Sequence, residues 1–126
     1  MIFCNFLNSI AYLRVDMISR KDDNMKEFNE IIKESRPTLV DFYATWCGPC
    51  RHQMPIIDEV KDSCGDRANV IKIDVDKDRE LASQYRIQSI PTIVVFKSGE
   101  VVWRASGLQS YDKLISVLNQ VCGNAT

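Results

Sequence analysis

Apolar positions recur along this chain at two different spacings, and their alternation lays out the elements. Met25, Phe28 and Ile32 fall on one helical face. Asn24, with Glu27 three residues on, reads as a cap opening that helix, which should close near Ser35, before Pro37. Thr38 to Ala44 (TLVDFYA) is a short apolar run of strand formers and predicts a buried strand. A second helix follows, to about Cys64, with Ile56, Ile57, Val60 and Cys64 on its inner face and Gly65 as a stop signal. Pro55 sits inside it and should kink it.

Asn69 to Val75 (NVIKIDV) predicts the next strand, and Asp78 to Tyr85 a short helix with Leu81, Ala82 and Tyr85 on one side. Pro91 opens a strand from Thr92 to Lys97. Ser98-Gly99 makes a tight turn into Glu100 to Ala105, a hairpin by its turn chemistry. Ser110 caps a last helix whose Tyr111, Leu114, Ile115, Leu118 and Val121 face inward, and Gly123 closes it. Strand–helix–strand crossovers imply parallel neighbours, and the closing hairpin is antiparallel. The expected fold class is α/β, with a central mixed sheet of four to five strands flanked by helices on both faces. The optional fifth strand would come from Leu13 to Ser19.

Length and composition then set bounds. A chain of 126 residues, 45% apolar and 26% charged, is most simply one globular domain with a real core. The expected division is an extension over 1–24, a domain over 25–122 and a tail over 123–126. The net charge of −1 gives no argument for nucleic acid or an anionic membrane surface. No apolar stretch approaches the length of a bilayer span. Met1 to Leu13 is moderately apolar, but no Lys or Arg precedes Arg14, so the charged start of an export signal is missing. Met17 or Met25 are alternative starts. Asn124-Ala125-Thr126 is a glycosylation sequon that matters only in a secreted chain.

The densest chemistry lies in Trp46-Cys47-Gly48-Pro49-Cys50. Cysteines at i and i+3 in a first helical turn share a face, so their sulfurs can meet in disulfide geometry. The free N–H groups and dipole of the helix N-terminus favour an anion, and the thiolate is the nucleophile. Gly48 permits close approach of backbone, and Pro49 suits a first turn. The bridge closes too short a ring to constrain the unfolded chain much, so a reducible couple fits it better than a structural staple. Half a zinc site is the competing reading. It lacks ligands: His52 is the single histidine, and Cys4, Cys64 and Cys122 stand alone. No metal is expected. Five cysteines cannot all pair within the chain, a pattern that suits a reducing compartment.

Asp41 is the second anomaly, a carboxylate inside an apolar strand. A buried charge is costly and must find a partner or stay protonated. Near a dithiol, such a carboxyl can exchange protons with the second sulfur, and a solvated edge position is the plain alternative.

From about Phe28 to Gln120 the chain resembles the thioredoxin family. Val40-Asp41-Phe42-Tyr43-Ala44 leads into Trp46-Cys47-Gly48-Pro49-Cys50, followed by Pro55, Ile90-Pro91-Thr92 and Gly107, in the family's order and spacing. The resemblance implies a thioredoxin fold and a general protein-disulfide reductase, a thiol–disulfide oxidoreductase that carries electrons and serves cell redox homeostasis. It implies Cys47 as nucleophile, Cys50 as resolving thiol and a redox-active Cys47–Cys50 disulfide. It gives Asp41 the role of proton acceptor and donor, and Lys72 that of tuning Asp41. Pro91 matches the family's cis-proline, with Trp46, Gly48, Pro49, Ile90 and Gly107 completing the motif and substrate surface. No cofactor is implied. The implied partners are disulfide-containing proteins and a flavin-containing, NADPH-linked thioredoxin reductase, with no nucleic acid and no membrane. A cytoplasmic monomer is the implied state, and an exported compartment is the alternative. Two departures stand out: Ser106 replaces a small apolar residue before the glycine, and Arg51-His52 follows the motif in place of a lysine and an apolar residue. His52 is expected to be exposed, Trp103 to be packing, and Cys64 and Cys122 to be buried thiols.

Overall fold

Four strands and four α-helices alternate along residues 21–123, the part of the chain that the computed structural model describes. They are α1 (Lys21–Ile32), β1 (Thr38–Tyr43), α2 (Gly48–Cys64), β2 (Asn69–Asp74), α3 (Arg79–Gln84), β3 (Thr92–Lys97), β4 (Glu100–Ser106) and α4 (Tyr111–Gly123). The expected strand at Leu13 to Ser19, Cys4 and the sequon at 124–126 lie outside the described residues.

Helix α1 departs from expectation at its start. It begins at Lys21, so Asn24 lies within the helix rather than capping it. The far end comes at Ile32, earlier than Ser35, with a turn in which the Glu34 N–H donates to the Ile31 carbonyl at 3.2 Å.

The sheet runs β2-β1-β3-β4. Strand β1 pairs in parallel with β2, Asp41 opposite Lys72, and antiparallel with β3, Asp41 opposite Ile93. The β3–β4 hairpin turns through Ser98 (φ 53°) and Gly99 (φ 85°). Two successive positive φ values make the primed turn whose twist matches paired strands. That turn is docked on the end of α1 through the Ser98 and Gly99 N–H groups, which donate to Glu34 O and Ile32 O at 2.9 and 2.8 Å.

Alternation along the strands builds a core on each face. Leu39, Val70, Ile93 and Val95 pack with Ile57 and Val60 of α2 and Leu114, Val117 and Leu118 of α4. Val40, Phe42, Ile73, Val94 and Phe96 pack with Phe28 and Ile32 of α1 and Leu81 of α3. Phe96 meets Phe28 and Tyr85 edge to face in this second core, and Phe28 and Tyr85 are tilted on each other, with ring centroids 5.1–5.8 Å apart. Both layers are closed over β1, whose inward side chains Leu39, Val40 and Phe42 are fully buried. This strand feeds directly into the cysteine motif.

The inner face of α4 includes Val117 in addition to the expected positions. Trp103 packs half-buried against the first core, and His52 is exposed on α2. Cys64 is a buried free thiol. Cys122, expected buried, is only half-buried, and its Sγ lies 3.9 Å from the Arg67 carbonyl oxygen. No helix among the described residues is long and apolar enough to cross a membrane.

Candidate active site

Cys47 occupies the N-cap position of α2, in extended backbone (φ −87°, ψ 119°). Its sulfur takes the place of the usual capping oxygen and accepts from the Cys50 N–H at 3.3 Å. One of the unpaired amides at the head of a 17-residue helix is therefore aimed at the sulfur. Pro49 stands in the first turn, where a missing N–H costs nothing. Cys47 and Cys50 are joined as a disulfide, with Cα atoms 5.3 Å apart. Cys47 retains 5% exposure while Cys50 retains none, so Cys47 is the more accessible residue of the pair. A Cβ at Gly48 would find nothing within 4 Å, so the turn between the cysteines is open around this residue.

Tyr43, Val75 and Ile90 pack against the cysteine pair. The Ile90–Pro91 peptide bond is cis, and the Ile90 carbonyl oxygen lies 3.8 Å from Cys47 Sγ. Pro91 in turn accepts a 2.8 Å hydrogen bond from the Gly107 N–H, which ties the loop after β4 to the proline. Gly107 has φ 91°, a conformation that a side chain would strain. Thr92, fully buried, secures the same corner: its Oγ1 donates to Ser89 O at 2.6 Å and lies 3.2 Å from the Ser106 hydroxyl. The departure at Ser106 is thus absorbed into a hydrogen bond. Trp46, 68% exposed, is fixed at the rim by donation from Nε1 to Asp76 Oδ2 at 2.8 Å. Asp76 is oriented through its own N–H, which donates to Asp74 Oδ1 at 2.9 Å. Trp46 and Leu108, 52% exposed, present apolar side chains to solvent next to Cys47 and Gly107 in the chain.

Asp41 on β1 has no exposure, and neither carboxyl oxygen has a hydrogen-bond partner. Burial pushes its carboxyl up to about 7 from 3.8, and the Lys72 ammonium across the strand pair pulls the other way. Lys72 does not bond Asp41. Its Nζ donates to Asp58 Oδ1 of α2 at 2.6 Å. Tyr43, on the same strand face, is also raised, by its own burial first and by Asp74 and Asp41 next.

Gln53 was not picked out by sequence reasoning. It is fully buried on α2, and its amide clamps the loop after β4: Nε2 donates to Gln109 O at 3.0 Å, and Oε1 accepts from Gln109 N at 2.8 Å. A signal was present, because Cys50, Gln53, Ile57, Val60 and Cys64 form one inward stripe, and a polar side chain in such a stripe needs a buried partner. Gln53→Leu should leave both Gln109 backbone groups unpaired and cost roughly 1–3 kcal/mol. Urea denaturation would read this as a lowered midpoint at constant slope, and an unchanged midpoint would show that the clamp contributes nothing.

A thioredoxin family model matches residues 19–120. The chain belongs to the thioredoxin family. It is 48% identical over 92 residues to a thioredoxin-like protein of Synechocystis, covering 72% of this chain and 88% of that one. It is 40% identical over 99 residues to a chloroplastic thioredoxin Y of Oryza sativa subsp. japonica, covering 78% of this chain but 59% of the rice protein. Among solved structures, a mutant thioredoxin from Halobacterium salinarum superposes with a TM-score of 0.71 at 36% identity, over 77% of this chain and 84% of that one. The fold is the thioredoxin fold. The chain is accordingly a thiol–disulfide oxidoreductase with a redox-active Cys47–Cys50 centre.

Proposed function

We propose that the chain is a general protein-disulfide reductase working by dithiol–disulfide exchange, and that Cys47, Cys50, Asp41 and Lys72 carry the reaction. The observation that supports this most is the asymmetry of the pair: one sulfur at the surface and capped by an amide, the other sealed beneath it. In the reduced form the Cys47 thiolate, stabilised by the Cys50 N–H and the helix dipole, attacks a substrate disulfide. One substrate sulfur leaves as a thiolate and a mixed disulfide forms. Cys50 then attacks Cys47 Sγ, the second substrate sulfur leaves, and the intramolecular bridge takes up the two-electron oxidation. Asp41, held near neutrality, accepts the Cys50 proton, and Lys72 biases its titration.

Trp46, Ile90, Pro91 and Gly107 form the docking surface. The Ile90 backbone beside Cys47 suits an extended substrate segment, which would pair with it as an added strand. Gly48 and Pro49 shape the turn between the two cysteines. Two further electrons per turnover come from a thioredoxin reductase linked to NADPH through a flavin, and the chain carries them as a cytoplasmic monomer. The rice relative is named chloroplastic, which makes an organellar or exported setting the alternative.

The deciding measurement is the reduction potential of the Cys47–Cys50 pair in a variant with Cys4, Cys64 and Cys122 changed to Ser. A value near about −270 mV, the established thioredoxin figure rather than one derived from this geometry, supports the reductase reading. A value near about −120 mV, that of a strong oxidant, would overturn it in favour of disulfide formation.

A further inference from the structure

We propose that Asp58 is a positioning residue for this site: by holding the Lys72 ammonium against α2, it keeps that cation from pairing with Asp41. Asp41 and Lys72 are register partners across β1 and β2. Each lies two residues beyond a side chain of the first core, Leu39 and Val70, so both belong to the sheet face covered by α2. A lysine opposite a buried carboxylate on one face would ordinarily be its ion-pair partner. Instead both Asp41 oxygens are unpartnered, and Lys72 Nζ lies 2.6 Å from Asp58 Oδ1.

The electrostatic consequence follows from Coulomb's law. Seen from Asp41, the Lys72 charge is accompanied by an opposite charge 2.6 Å away, and much of its field is cancelled. The other groups on this side do not replace it. From β3 the partner of Asp41 is the apolar Ile93. From β1 it is Tyr43, whose hydroxyl is itself pushed up by Asp41, with Asp74 of β2 acting on Tyr43 in the same sense. From α2 it is Asp58, which reaches this side through Lys72. Burial therefore dominates at Asp41, and its carboxyl sits at about 7. Removing the Asp58 charge uncovers the Lys72 field and frees the side chain to lean inward. Both changes stabilise the Asp41 carboxylate.

The functional significance rests on the reading above that Asp41 exchanges a proton with Cys50, but the placement of Lys72 does not. The test is therefore a direct one. In the full-length oxidised protein, carbon NMR of the Asp41 carboxyl is followed against pH. Asp58→Asn should move the Asp41 midpoint down by roughly half a unit or more. Lys72→Met should move it up. In the Lys72→Met background, Asp58→Asn should move it much less than in the wild type, because Asp58 acts through Lys72. A wild-type-background shift that is absent or upward would overturn the proposal, and so would an equal shift in both backgrounds. The pH profile of mixed-disulfide resolution separates the two readings. If the titration moves and the profile does not, the proton role of Asp41 fails while the placement of Lys72 by Asp58 stands.

Discussion

Cys47→Ser is expected to abolish disulfide-reductase turnover to the uncatalysed background, whereas Cys50→Ser should stall the protein after one attack. The two substitutions are chemically identical, and burial makes them differ. Cys47 keeps 5% exposure, caps α2 and receives the Cys50 N–H, so its loss removes the only sulfur of the pair that a macromolecular disulfide can reach. No covalent step then begins. Cys50 has no exposure, so its sulfur cannot be attacked by a docked protein, but it lies in bonding geometry with Cys47. Without it the mixed disulfide forms and cannot be resolved intramolecularly. The check is a non-reducing gel of each reduced variant mixed with a protein disulfide. Cys50→Ser should give an adduct that dithiothreitol releases, and Cys47→Ser should give none. An adduct through Cys50 in the Cys47→Ser protein would show that the roles have been assigned the wrong way round.

How far the sequence carries this picture varies from residue to residue. Helix α2 and its stripe of Ile57, Val60 and Cys64 were legible, because burial of one face imposes a helical period on the residues themselves. The Ser98-Gly99 hairpin was legible because only certain residues tolerate two successive positive φ values. The cysteine pair was legible because its partners are three residues apart. Asp41 was visible as an anomaly, since a charge within an apolar strand violates the local pattern whatever surrounds it. What could not be read were the identities of distant partners. Gln53 meets a backbone segment 56 residues away. Trp46 and Asp76 are 30 residues apart, and Lys72 reaches Asp58 across 14. Periodicity reports that a side chain is buried or exposed, but not which loop the fold brings against it. Lys72 shows the difference most clearly. The family resemblance puts it near Asp41 and the sheet sets it opposite, yet its ammonium goes to a helix residue that the strand pattern never mentions.

Asp41→Asn should change the pH dependence of stability more than any other single substitution. The folded carboxyl titrates at about 7 against 3.8 for the ordinary group, because burial disfavours the charged form. The folded state therefore holds a proton that the unfolded state has already lost between these two values. For a group raised in this way, the favourable contribution is complete below about 3.8, declines as pH rises through the window, and is exhausted above about 7. A shift of this size corresponds to roughly 4 kcal/mol, nearly all of it lost between pH 4 and pH 8. Asparagine has no titrating proton, so the wild type should lose roughly 3–4 kcal/mol relative to Asp41→Asn across that interval. The cost of burying an unpartnered amide is the same at both pH values and drops out of the comparison. Urea denaturation of the oxidised proteins at pH 4, 6 and 8 reads the difference. Parallel stability curves for the two proteins would mean that Asp41 ionises in the fold as easily as in the unfolded chain, and burial would hold no proton on it. If the curves diverge as expected, the carboxyl that destabilises the protein at neutral pH is the group poised to take the Cys50 proton. The same variant should then slow resolution of the mixed disulfide while leaving its formation by Cys47 intact.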